Sequence, residues 1–318
     1  KKINLFVADS NSLSSGKFLN SDFFLIPNAD DKNFIKELLQ ICISNSINFI
    51  FPLVTKELFY LSKSKSLFLN HGIKIIVSDY KDLSIANNKS SLYKHLKINN
   101  IQVPEFRVVN NYEEFIIASK ELTELTGGYV MKPSISNGSR GVRIVDNSFD
   151  KFDVLFNQKP NSLYTTDNNL KEILSQKQFP ELLLSENLPG DEYTIDTLVD
   201  ENGNIKLILP RKRIKIREGI SISGEFIEHK EIIEYCKLIL KSLNLIGPIG
   251  IQVKADKNNI FKVLEINPRI QGTSVSALGV GVNIPLMSVY MINGKDLKLE
   301  KIKWGTKFIR YYDEVYFR

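Results

Sequence analysis

The sequence predicts an α/β protein in which an N-terminal parallel sheet is followed by two regions of mixed strands and helices. Over residues 1–85, buried strand patterns alternate with amphipathic helix patterns, an order that requires parallel strands. After residue 128, short strands are paired through turns, which favours antiparallel hairpins. The 318 residues are enough for two or three compact units.

The N-terminal region, residues 1–85, contains three predicted strands separated by two predicted helices. Asp31 can cap the first helix, which extends to about Ser44 with Phe34, Leu38, Leu39 and Cys42 on its inner face. The second helix follows Thr55 and can end at Gly72. The predicted strands are Ile3–Ala8, Phe49–Val54 and Ile73–Val77.

Residues 86–188 begin as a connecting region and continue into a second predicted unit. A helix is expected around Lys89–Ile98 and another from Tyr112, with a turn at Val103-Pro104 between them. The predicted strands are Tyr129–Lys132, Val142–Val145 and Leu182–Ser185.

Residues 189–318 contain two predicted hairpins with a helix between them. In the first, Tyr193–Val199 and Ile205–Leu209 flank Asn202-Gly203, a strong turn signal. The helix covers Glu228–Leu243, and the second hairpin joins Gly250–Lys254 to Val263–Ile270.

The second hairpin has the residues of a metal–phosphate site. Glu265, Asn267 and Arg269 alternate, so their side chains share one strand face, with Leu264 and Ile266 on the other. If Asn258-Asn259 forms a two-residue loop, Gln252 lies opposite Glu265, and Ile251 lies opposite Ile266. Oxygen ligands suit Mg²⁺, and a guanidinium suits phosphate or carboxylate. A half-exposed strand with ordinary polar alternation is an equally good interpretation of the spacing alone.

A glycine-containing loop lies between the strands at Tyr129–Lys132 and Val142–Val145. Gly138 and Gly141 permit backbone conformations that turn N–H groups towards phosphate, and Ser136 and Ser139 add hydroxyl donors. Lys132 can contact a phosphate as a point charge. The loop lacks the spacing of a Walker A loop or a dinucleotide fingerprint. Taken alone, it is more typical of a flexible hairpin turn.

Two further segments complete the set of candidates. The predicted strand Leu182–Ser185 is followed by a break at Pro189-Gly190, where backbone groups can bind an adenine edge, and Glu192 can accept from ribose hydroxyls. A solvated acidic loop is the alternative. Residues 210–217 alternate cationic and apolar side chains, including Arg213 and Arg217, which suits either an exposed strand face or anionic substrates.

Composition excludes several other classes of function. The net charge of +6 suits anionic ligands, but no long basic run, RNA-binding pattern or zinc finger is present, so we expect no nucleic-acid partner. The two cysteines fall in apolar helical patterns and are predicted core residues, and the three histidines form no metal-spaced set. No run reaches transmembrane length and no signal peptide is visible, which predicts a cytoplasmic protein without a membrane partner. Because the first residue is Lys1, we expect the natural chain to start upstream.

The order of these pieces resembles the ATP-grasp superfamily, especially its carbamoyl-phosphate synthase large-chain-like branch, with biotin carboxylase and PurK-type ligases as relatives. The likeness covers almost the whole chain, and its most specific parts are the strand Val263–Ile270 and the loop Lys132–Val142. It implies a pre-ATP-grasp domain at 1–85, linker helices and an N-terminal ATP-grasp subdomain at 86–188, and a C-terminal subdomain at 189–318. Nucleotide is implied to bind between the two subdomains.

The resemblance also implies a role for each candidate residue. Lys89 and Lys132 would contact phosphates, residues 134–141 would form a mobile lid, and Glu186 to Leu188 would form the adenine hinge. Arg269 would steady the transferred phosphoryl group or the carboxylate, with Arg213 and Arg217 on the acceptor side. The implied nucleotide set is Lys89, Lys132, Ser136, Asn137, Gly138, Ser139, Gly141, Glu186, Asn187, Leu188 and Glu192, and the implied metal set is Gln252, Glu265 and Asn267.

The implied activity is an ATP- and Mg²⁺-dependent ligase, with Mn²⁺ as a substitute metal, that joins a small carboxylate to an amine through an acyl phosphate. A subunit that phosphorylates bicarbonate or carbamate and a nucleotide-binding protein without turnover are the alternatives, and the relatives make a homodimer an expectation. The chain departs from the family in two ways. The first strand and its glycine-rich turn, which normally precede a strand such as Ile3–Ala8, are absent, and there is one ATP-grasp unit without a biotin-carrier segment.

Overall fold

The structure, a computed structural model, describes residues 3–136, 138–157, 163–295 and 299–316, and confirms a mixed α/β fold with parallel strands at the N-terminus. The N-terminal elements are β1 Val7–Asp9, α1 Ser15–Leu19, β2 Phe23–Leu25, α2 Phe34–Ser44, β3 Phe49–Ile50, α3 Thr55–Lys63, α4 Lys65–Leu69, β4 Lys74–Ile75 and α5 Tyr80–Asn87. Strand β1 pairs with β2, and β3 with β4, both in parallel. Helix α1 and strand β2 were not predicted.

All three predicted N-terminal strands are shorter in the structure, and β4 covers only Lys74–Ile75 of the expected Ile73–Val77. The strand expected over Phe49–Val54 ends at Ile50. The backbone N–H groups of Leu53 and Val54 instead donate to Glu57 Oε1, at 2.6 and 2.8 Å, so they cap α3 rather than extend the sheet. Strand β1 begins at Val7 rather than Ile3, and its described partner β2 begins at Phe23.

The middle of the chain forms a sheet with the order β5-β9-β6-β7-β8 within the described residues. Its elements, with the helix that precedes them, are α6 Lys89–Ile98, β5 Phe106–Val109, α7 Tyr112–Thr126, β6 Tyr129–Pro133, β7 Arg143–Val145, α8 Lys151–Asn157, β8 Tyr164–Thr165, α9 Asp167–Leu174 and β9 Leu182–Glu186. Helix α6 has the predicted bounds, and α7 starts at the predicted residue. Strand β5 was not predicted.

The C-terminal sheet has the order β14-β13-β10-β11-β12-β15 among the residues described. The elements are β10 Glu192–Val199, β11 Ile205–Arg217, β12 Ile220–Phe226, α10 Lys230–Ser242, β13 Gly247–Ala255, β14 Phe261–Asn267, a 3-10 helix Ser274–Val280, α11 Ile284–Ile292 and β15 Lys307–Ile309. Strand β11 includes the basic segment 210–217, so these residues extend the first hairpin rather than form a separate strand.

The hairpin β13–β14 has the predicted pairing at the site but not the predicted turn. Gln252 pairs with Glu265, and Ile251 with Ile266. Nearer the turn, Ala255 pairs with Phe261, and Asp256 N donates to Ile260 O at 2.9 Å, so residues 257–259 form a three-residue loop. The two-residue loop was therefore wrong. A bulge at Leu264 absorbs the difference and restores the register at Glu265.

Helix α6 packs between the C-terminal sheet and the middle sheet, where Tyr93 meets the Phe106 ring of β5 at 5.4 Å between ring centres. Leu92, Tyr93 and Leu96 belong to one hydrophobic cluster with β10, β13, β14 and α10. The Tyr93 hydroxyl donates to Val263 O at 2.8 Å. Lys89, the first residue of this helix, is thereby fixed beside β14, which is where the polar face of the second hairpin lies.

The N-terminal region is in contact with the C-terminal sheet. Lys74 Nζ donates to Ile292 O at 3.0 Å, and Asn244 N donates to Asp82 Oδ1 at 3.2 Å. The Cβ of any larger residue at Gly247 would lie 2.8 Å from Ile76 Cγ2. The two regions therefore pack closely, and residues before 85 can reach the cleft of the C-terminal sheet.

Both cysteines are in the core, as predicted: Cys42 is 1% and Cys236 0% exposed. Burial raises the pKa of Cys42 to about 11 and raises that of Cys236 further. Within the described ranges, no single helix has the length and apolar character needed to cross a membrane; one pair, Ser274–Val280 with Ile284–Ile292, meets the length and composition criteria only jointly, across a 94° bend.

Candidate functional site

A cleft of about 1120 Å³ is lined by residues of both large sheets and by Leu53 of the N-terminal region. Most of the residues predicted for the site line it, although they come from segments as far apart in sequence as α6 and β14. Gly141 and Arg217 are not among the lining residues, and Asn137 lies outside the described residues. The predicted residues that line the cleft are Lys89, Lys132, Ser136, Gly138, Ser139, Glu186, Asn187, Leu188, Glu192, Arg213, Gln252, Glu265, Asn267 and Arg269.

The floor of the cleft is one face of the C-terminal sheet. Thr194 pairs with both Gln252 and Arg211, and Gln252 pairs with Glu265, so these four residues form a cross-strand row. Leu264 also lines the cleft, because the bulge turns it to the same side as Glu265. The prediction that Leu264 shares the core face with Ile266 is therefore wrong.

Lys89 and Glu265 form an ion pair across the cleft wall. Lys89 Nζ lies 3.3 Å from Glu265 Oε2 and donates to Ser136 O at 2.9 Å. Asn267 Nδ2 donates to the other oxygen, Glu265 Oε1, at 3.2 Å. One lysine thus connects the predicted metal carboxylate to the glycine-containing loop.

Arg213 is bound on three sides within the cleft. Its guanidinium pairs with Glu192, and its Nη1 also donates to Gln252 Oε1 at 3.3 Å. Its Nη2 donates to Gly219 O at 2.6 Å, in the turn between β11 and β12. The Gln252 oxygen, predicted to face a metal, therefore already has a cationic donor, and Gln252 as a ligand stays a prediction.

Lys132 is a buried cation without an anionic partner among the described residues. It is 6% exposed, and its ammonium lies 5.8 Å from the centre of the Tyr93 ring. Burial, and then the charge of Lys89, lower its pKa to about 8, whereas Glu265 and Glu192 act to raise it. A buried ammonium without a counter-ion fits an anion bound in the cleft, such as a nucleotide phosphate.

The glycine-containing loop closes the cleft against the β11–β12 turn. The Cβ of a larger residue at Gly219 would lie 3.0 Å from Ser139 Oγ, so turn and loop are in contact. Gly138 and Gly141 have positive φ values of 64° and 74°. At Gly141 an added Cβ would lie 2.7 Å from Pro133 Cγ, so this residue packs under the loop rather than facing the cleft.

The predicted hinge lies at the opposite end of the cleft. Leu188 is 3% exposed, while Asn187 is exposed. The Glu186 carboxylate is bound to Lys262, which also pairs with Asp256 at 3.2 Å. The Glu186 carboxylate is therefore occupied, and its backbone N donates to Glu105 O at 2.8 Å.

Arg269 reaches from the end of β14 to the N-terminal region. Its Nε donates to Thr55 Oγ1 at 3.2 Å, and its Nη1 donates to Ile270 O at 2.9 Å. Burial lowers its pKa from the usual value, while Glu265 and then Glu57 act to raise it. Arg217 instead lies at the exposed end of β11, 3.8 Å from Glu218.

A buried network beneath the cleft was not predicted from the sequence. Arg211 is 0% exposed and lies 3.2 Å from Asp196 Oδ2, and its Nη2 donates to Thr273 Oγ1 at 2.9 Å. Ser274 Oγ and Gln271 Nε2 both donate to Asp196 Oδ1, at 2.5 and 3.1 Å. Arg211 belongs to the basic segment that suited an exposed strand, so its burial corrects that interpretation.

Lys254 and Arg310 also line the cleft and were not singled out from the sequence. Lys254 could have been found, because it follows Gln252 by two residues on the same strand face. Arg310 follows β15, whose pairing with β12 depends on a contact far along the chain, so no local pattern marks it.

The site has few acidic groups for a metal. Within the described part of the chain, no cluster of three His, Cys, Asp or Glu side chains is placed to hold one. Glu265 is the carboxylate of the predicted set, and Asn267 adds an amide oxygen. Such a donor set suits Mg²⁺, which keeps waters and binds to one or two carboxylates together with substrate phosphates.

Comparison with known families gives two matches to parts of the chain. Residues 178–310 match the family described as ATP-grasp in the biosynthetic pathway with Ter operon, and residues 1–76 match the PylC-like N-terminal domain. Curated relatives include the carbamoyl phosphate synthase large chains of Clostridium acetobutylicum, 27% identical over 241 residues, and of Pseudothermotoga lettingae, 26% identical over 235 residues. The alignments cover 72% and 71% of this chain but 20% of each relative, so the chain matches about a fifth of their length.

Solved structures of other proteins have a fold similar to that of this chain. An ADP complex of the N5-carboxyaminoimidazole ribonucleotide synthetase purK has a TM-score of 0.69 at 15% identity, with 95% of this chain and 72% of that chain covered. A biotin carboxylase from Campylobacter jejuni also has a TM-score of 0.69, at 17% identity, with 95% and 68% covered. At this identity the likeness shows the fold.

Proposed function

We propose that this chain, which has an ATP-grasp domain behind a PylC-like N-terminal domain, is an ATP- and Mg²⁺-dependent ligase joining a small carboxylate to an amine. The observation that carries the proposal is the convergence of Lys89, Lys132 and Arg269 with Glu265 and Asn267 in one cleft. Cations for phosphate and oxygens for a metal are both needed for phosphoryl transfer, where the protein's part is positioning and charge neutralisation.

In the proposed reaction a carboxylate oxygen attacks the γ-phosphorus of ATP, the bond to the β-phosphate oxygen breaks, and ADP leaves. The amine nitrogen then attacks the acyl carbon, the bond to the phosphate oxygen breaks, and the amine loses a proton to solvent. Mg²⁺ held by Glu265 and Asn267 would neutralise charge on the phosphates.

The chain's own residues have separate parts in this proposal. Lys89 and Lys132 neutralise phosphate charge, and Arg269 orients the carboxylate that is phosphorylated. The glycine-containing loop, in contact with the turn at Gly219, keeps water from the acyl phosphate. The proposed nucleotide contacts at the other end are the backbone of Glu186 and Asn187, the side chain of Leu188 and the carboxylate of Glu192.

The test is a screen for ADP release with MgATP and a panel of small acids and amines, tested singly and in pairs. Release that requires one acid and one amine, with a condensed product of matching mass, supports the ligase. ATP binding without ADP release across the panel contradicts it and favours a nucleotide-binding protein.

The alignment with carbamoyl phosphate synthase large chains favours a second candidate, phosphorylation of bicarbonate or carbamate. The same screen distinguishes the two, because bicarbonate alone would then drive ADP release without any organic acid. In that case the carboxylate–amine ligase is the wrong assignment.

A further inference from the structure

The Arg269 guanidinium is joined to the N-terminal region through one threonine. Its Nε donates to Thr55 Oγ1 at 3.2 Å, and its Nη1 donates to Ile270 O at 2.9 Å. Ile270 is the next residue in the chain, so its carbonyl moves with the backbone of Arg269. Among the residues that the structure describes, Thr55 is therefore the hydrogen-bond partner that ties this guanidinium to a different element, helix α3.

The rest of the guanidinium is left for a ligand. The two bonds engage Nε and one N–H of Nη1, so Nη2 and the second N–H of Nη1 have no hydrogen-bond partner within the described ranges. Glu265, on the same strand, forms its ion pair with Lys89 instead. Because Arg269 lines the cleft, its remaining donors can bind a carboxylate through charge-assisted hydrogen bonds.

Thr55 is held by the N-terminal core at the first residue of α3. It is 8% exposed, and Leu58 in the same helix is 0% exposed. The chain before the helix is fixed as well, because Glu57 Oε1 accepts from the backbone N–H groups of Leu53 and Val54. A branched β-carbon restricts the χ1 angle of a threonine. The position of the Thr55 hydroxyl is thus set from outside the cleft.

Other hydrogen bonds already join the N-terminal region to the C-terminal sheet. Ile246 N donates to Ser78 Oγ at 2.9 Å, and Lys74 Nζ donates to the last carbonyl of α11 at 3.0 Å. None of the residues in these bonds lines the cleft, whereas Arg269 does. The bond between Thr55 and Arg269 differs from them because it ends on a residue of the site.

We infer that Thr55 is a positioning residue for the reaction. By accepting from Nε it holds one side of the Arg269 guanidinium and directs Nη1 and Nη2 at the acid to be activated. Thr55 does not itself line the cleft, so it acts through Arg269. This inference rests on the proposed function, in which Arg269 orients that acid, and it gives the N-terminal region a part in binding the acid.

The test compares Thr55→Val, which keeps the shape of threonine without the hydroxyl, with the wild type. ADP release is measured with MgATP, with bicarbonate, acetate, succinate, L-alanine or L-glutamate as the acid, and with ammonium or glycine as the amine. For the acid that drives release in the wild type, we expect Thr55→Val to raise the KM by about tenfold or more, because the guanidinium is no longer held in the productive direction. The Kd of MgATP, measured by calorimetry, is expected to stay within about twofold.

Two further variants at Thr55 separate the hydroxyl from the packing. Thr55→Ser keeps the hydroxyl and is expected to bring the KM for the acid back to within about threefold of the wild-type value. Thr55→Ala removes the hydroxyl without adding a methyl group in its place, and it should raise this KM as Thr55→Val does.

Ser62 supplies the matched control. It lies on the same helix, is likewise 8% exposed, and its Oγ donates to Ser78 O at 2.8 Å. Ser62→Ala therefore removes a buried hydrogen bond of the N-terminal region without touching Arg269. We expect it to lower the free energy of unfolding and to leave the KM for the acid unchanged.

Several outcomes overturn the inference while the ligase stands. These are an unchanged KM for the acid in Thr55→Val and Thr55→Ala, a raised KM that Thr55→Ser shares, an equal rise in Ser62→Ala, and an equal loss of MgATP affinity in Thr55→Val. No ADP release by the wild type with any of these acids and amines refutes the proposed function, and the inference with it.

Discussion

The Arg211 guanidinium lies 3.2 Å from the Asp196 carboxylate in a position where neither side chain reaches solvent. The carboxylate also accepts from Ser274 and Gln271, and Arg211 donates to Thr273. The ion pair therefore holds the segment that follows Arg269 down onto the sheet. Gln271, Thr273 and Ser274 all line the cleft, so a buried electrostatic contact sets the shape of one wall.

Breaking this pair should destabilise the fold. Arg211→Met leaves the Asp196 charge buried with neutral partners, and we expect a loss of about 3–5 kcal/mol in the free energy of unfolding, measured in urea. The double variant Arg211→Met/Asp196→Leu should recover part of that loss. Lys212 follows Arg211 on β11 and forms an exposed ion pair with Asp191. Lys212→Met breaks that pair and should lower the free energy of unfolding by less than about 1 kcal/mol. Equal losses for Arg211→Met and Lys212→Met would contradict the prediction.

A close approach at Gly250 supports the same wall. An added Cβ there would lie 2.0 Å from Gln271 Cδ, so the Gln271 side chain lies directly on the glycine. Gly250→Ala should displace Gln271, break its bond to Asp196 and cost about 1–3 kcal/mol of stability. In a protein that already carries Gln271→Ala, the further substitution Gly250→Ala should leave the free energy of unfolding nearly unchanged, as a double-mutant cycle would measure. Gly272→Ala, where a Cβ meets nothing within 4 Å, is the control.

The ion pair between Glu265 and Lys89 allows a direct test of the proposed metal site. Glu265→Gln removes the charge while it keeps the shape, and we expect MgATP turnover to fall by about 10²-fold or more in a protein that stays folded at the assay temperature. Glu225→Gln, on β12, is the matched control. Near-normal ADP release by the purified Glu265→Gln protein would show that this carboxylate does not hold the metal.

Lys132 should make nucleotide binding depend on pH. Its pKa of about 8 lies below the ordinary value of 10.5, and a bound phosphate would favour the charged form and raise it. Binding therefore takes up a proton above pH 8, and ATP affinity by calorimetry should fall as the pH rises from 8 towards 10. Lys132→Arg, which stays charged, should lose this dependence. If the ATP affinity of Lys132→Arg fell with pH as steeply as that of the wild type, Lys132 would not be the source of the pH dependence.

The free protein should show the opposite dependence on pH in its stability. Because the folded pKa of Lys132 is depressed, the unfolded chain binds more protons between pH 8 and 10.5, and the unfolding free energy rises through that window. The stability of wild type relative to Lys132→Met should therefore increase from pH 8 to pH 10. Urea denaturation of both proteins at the two pH values measures this difference in unfolding free energy. A difference that stays constant or falls between pH 8 and pH 10 would contradict the depressed pKa.

Local patterns predicted the elements on which the site depends. The helix expected around Lys89–Ile98 has these bounds in the structure, where Asn88 caps its start by accepting from Ser91 N at 2.9 Å. Gln252 was placed opposite Glu265 by assuming a two-residue loop; the loop has three residues, and the predicted pair forms because the bulge at Leu264 restores the register. The nucleotide-side residues could likewise be proposed from their order along the chain.

Contacts between distant segments could not be predicted in this way. Arg269 meets Thr55 across 214 residues of sequence, and Arg211 is buried because the segment after Arg269 folds over it. Nothing in the alternation of residues 210–217 distinguishes Arg211 from Arg213 or Arg217. Their exposure is decided by what packs above each strand position, which is a property of the whole sheet.

The bulge at Leu264 makes insertions and deletions unequal along the hairpin. Leu264 is the extra residue between the Val253–Val263 and Gln252–Glu265 pairs, so a chain that lacked it could keep both pairs in a regular ladder. Loss of Val263 or Ile266 would instead remove a residue that the core requires. Deletion of Leu264 is therefore expected to keep Gln252 paired with Glu265, whereas deletion of Val263 or Ile266 is expected to disrupt the core beside the site.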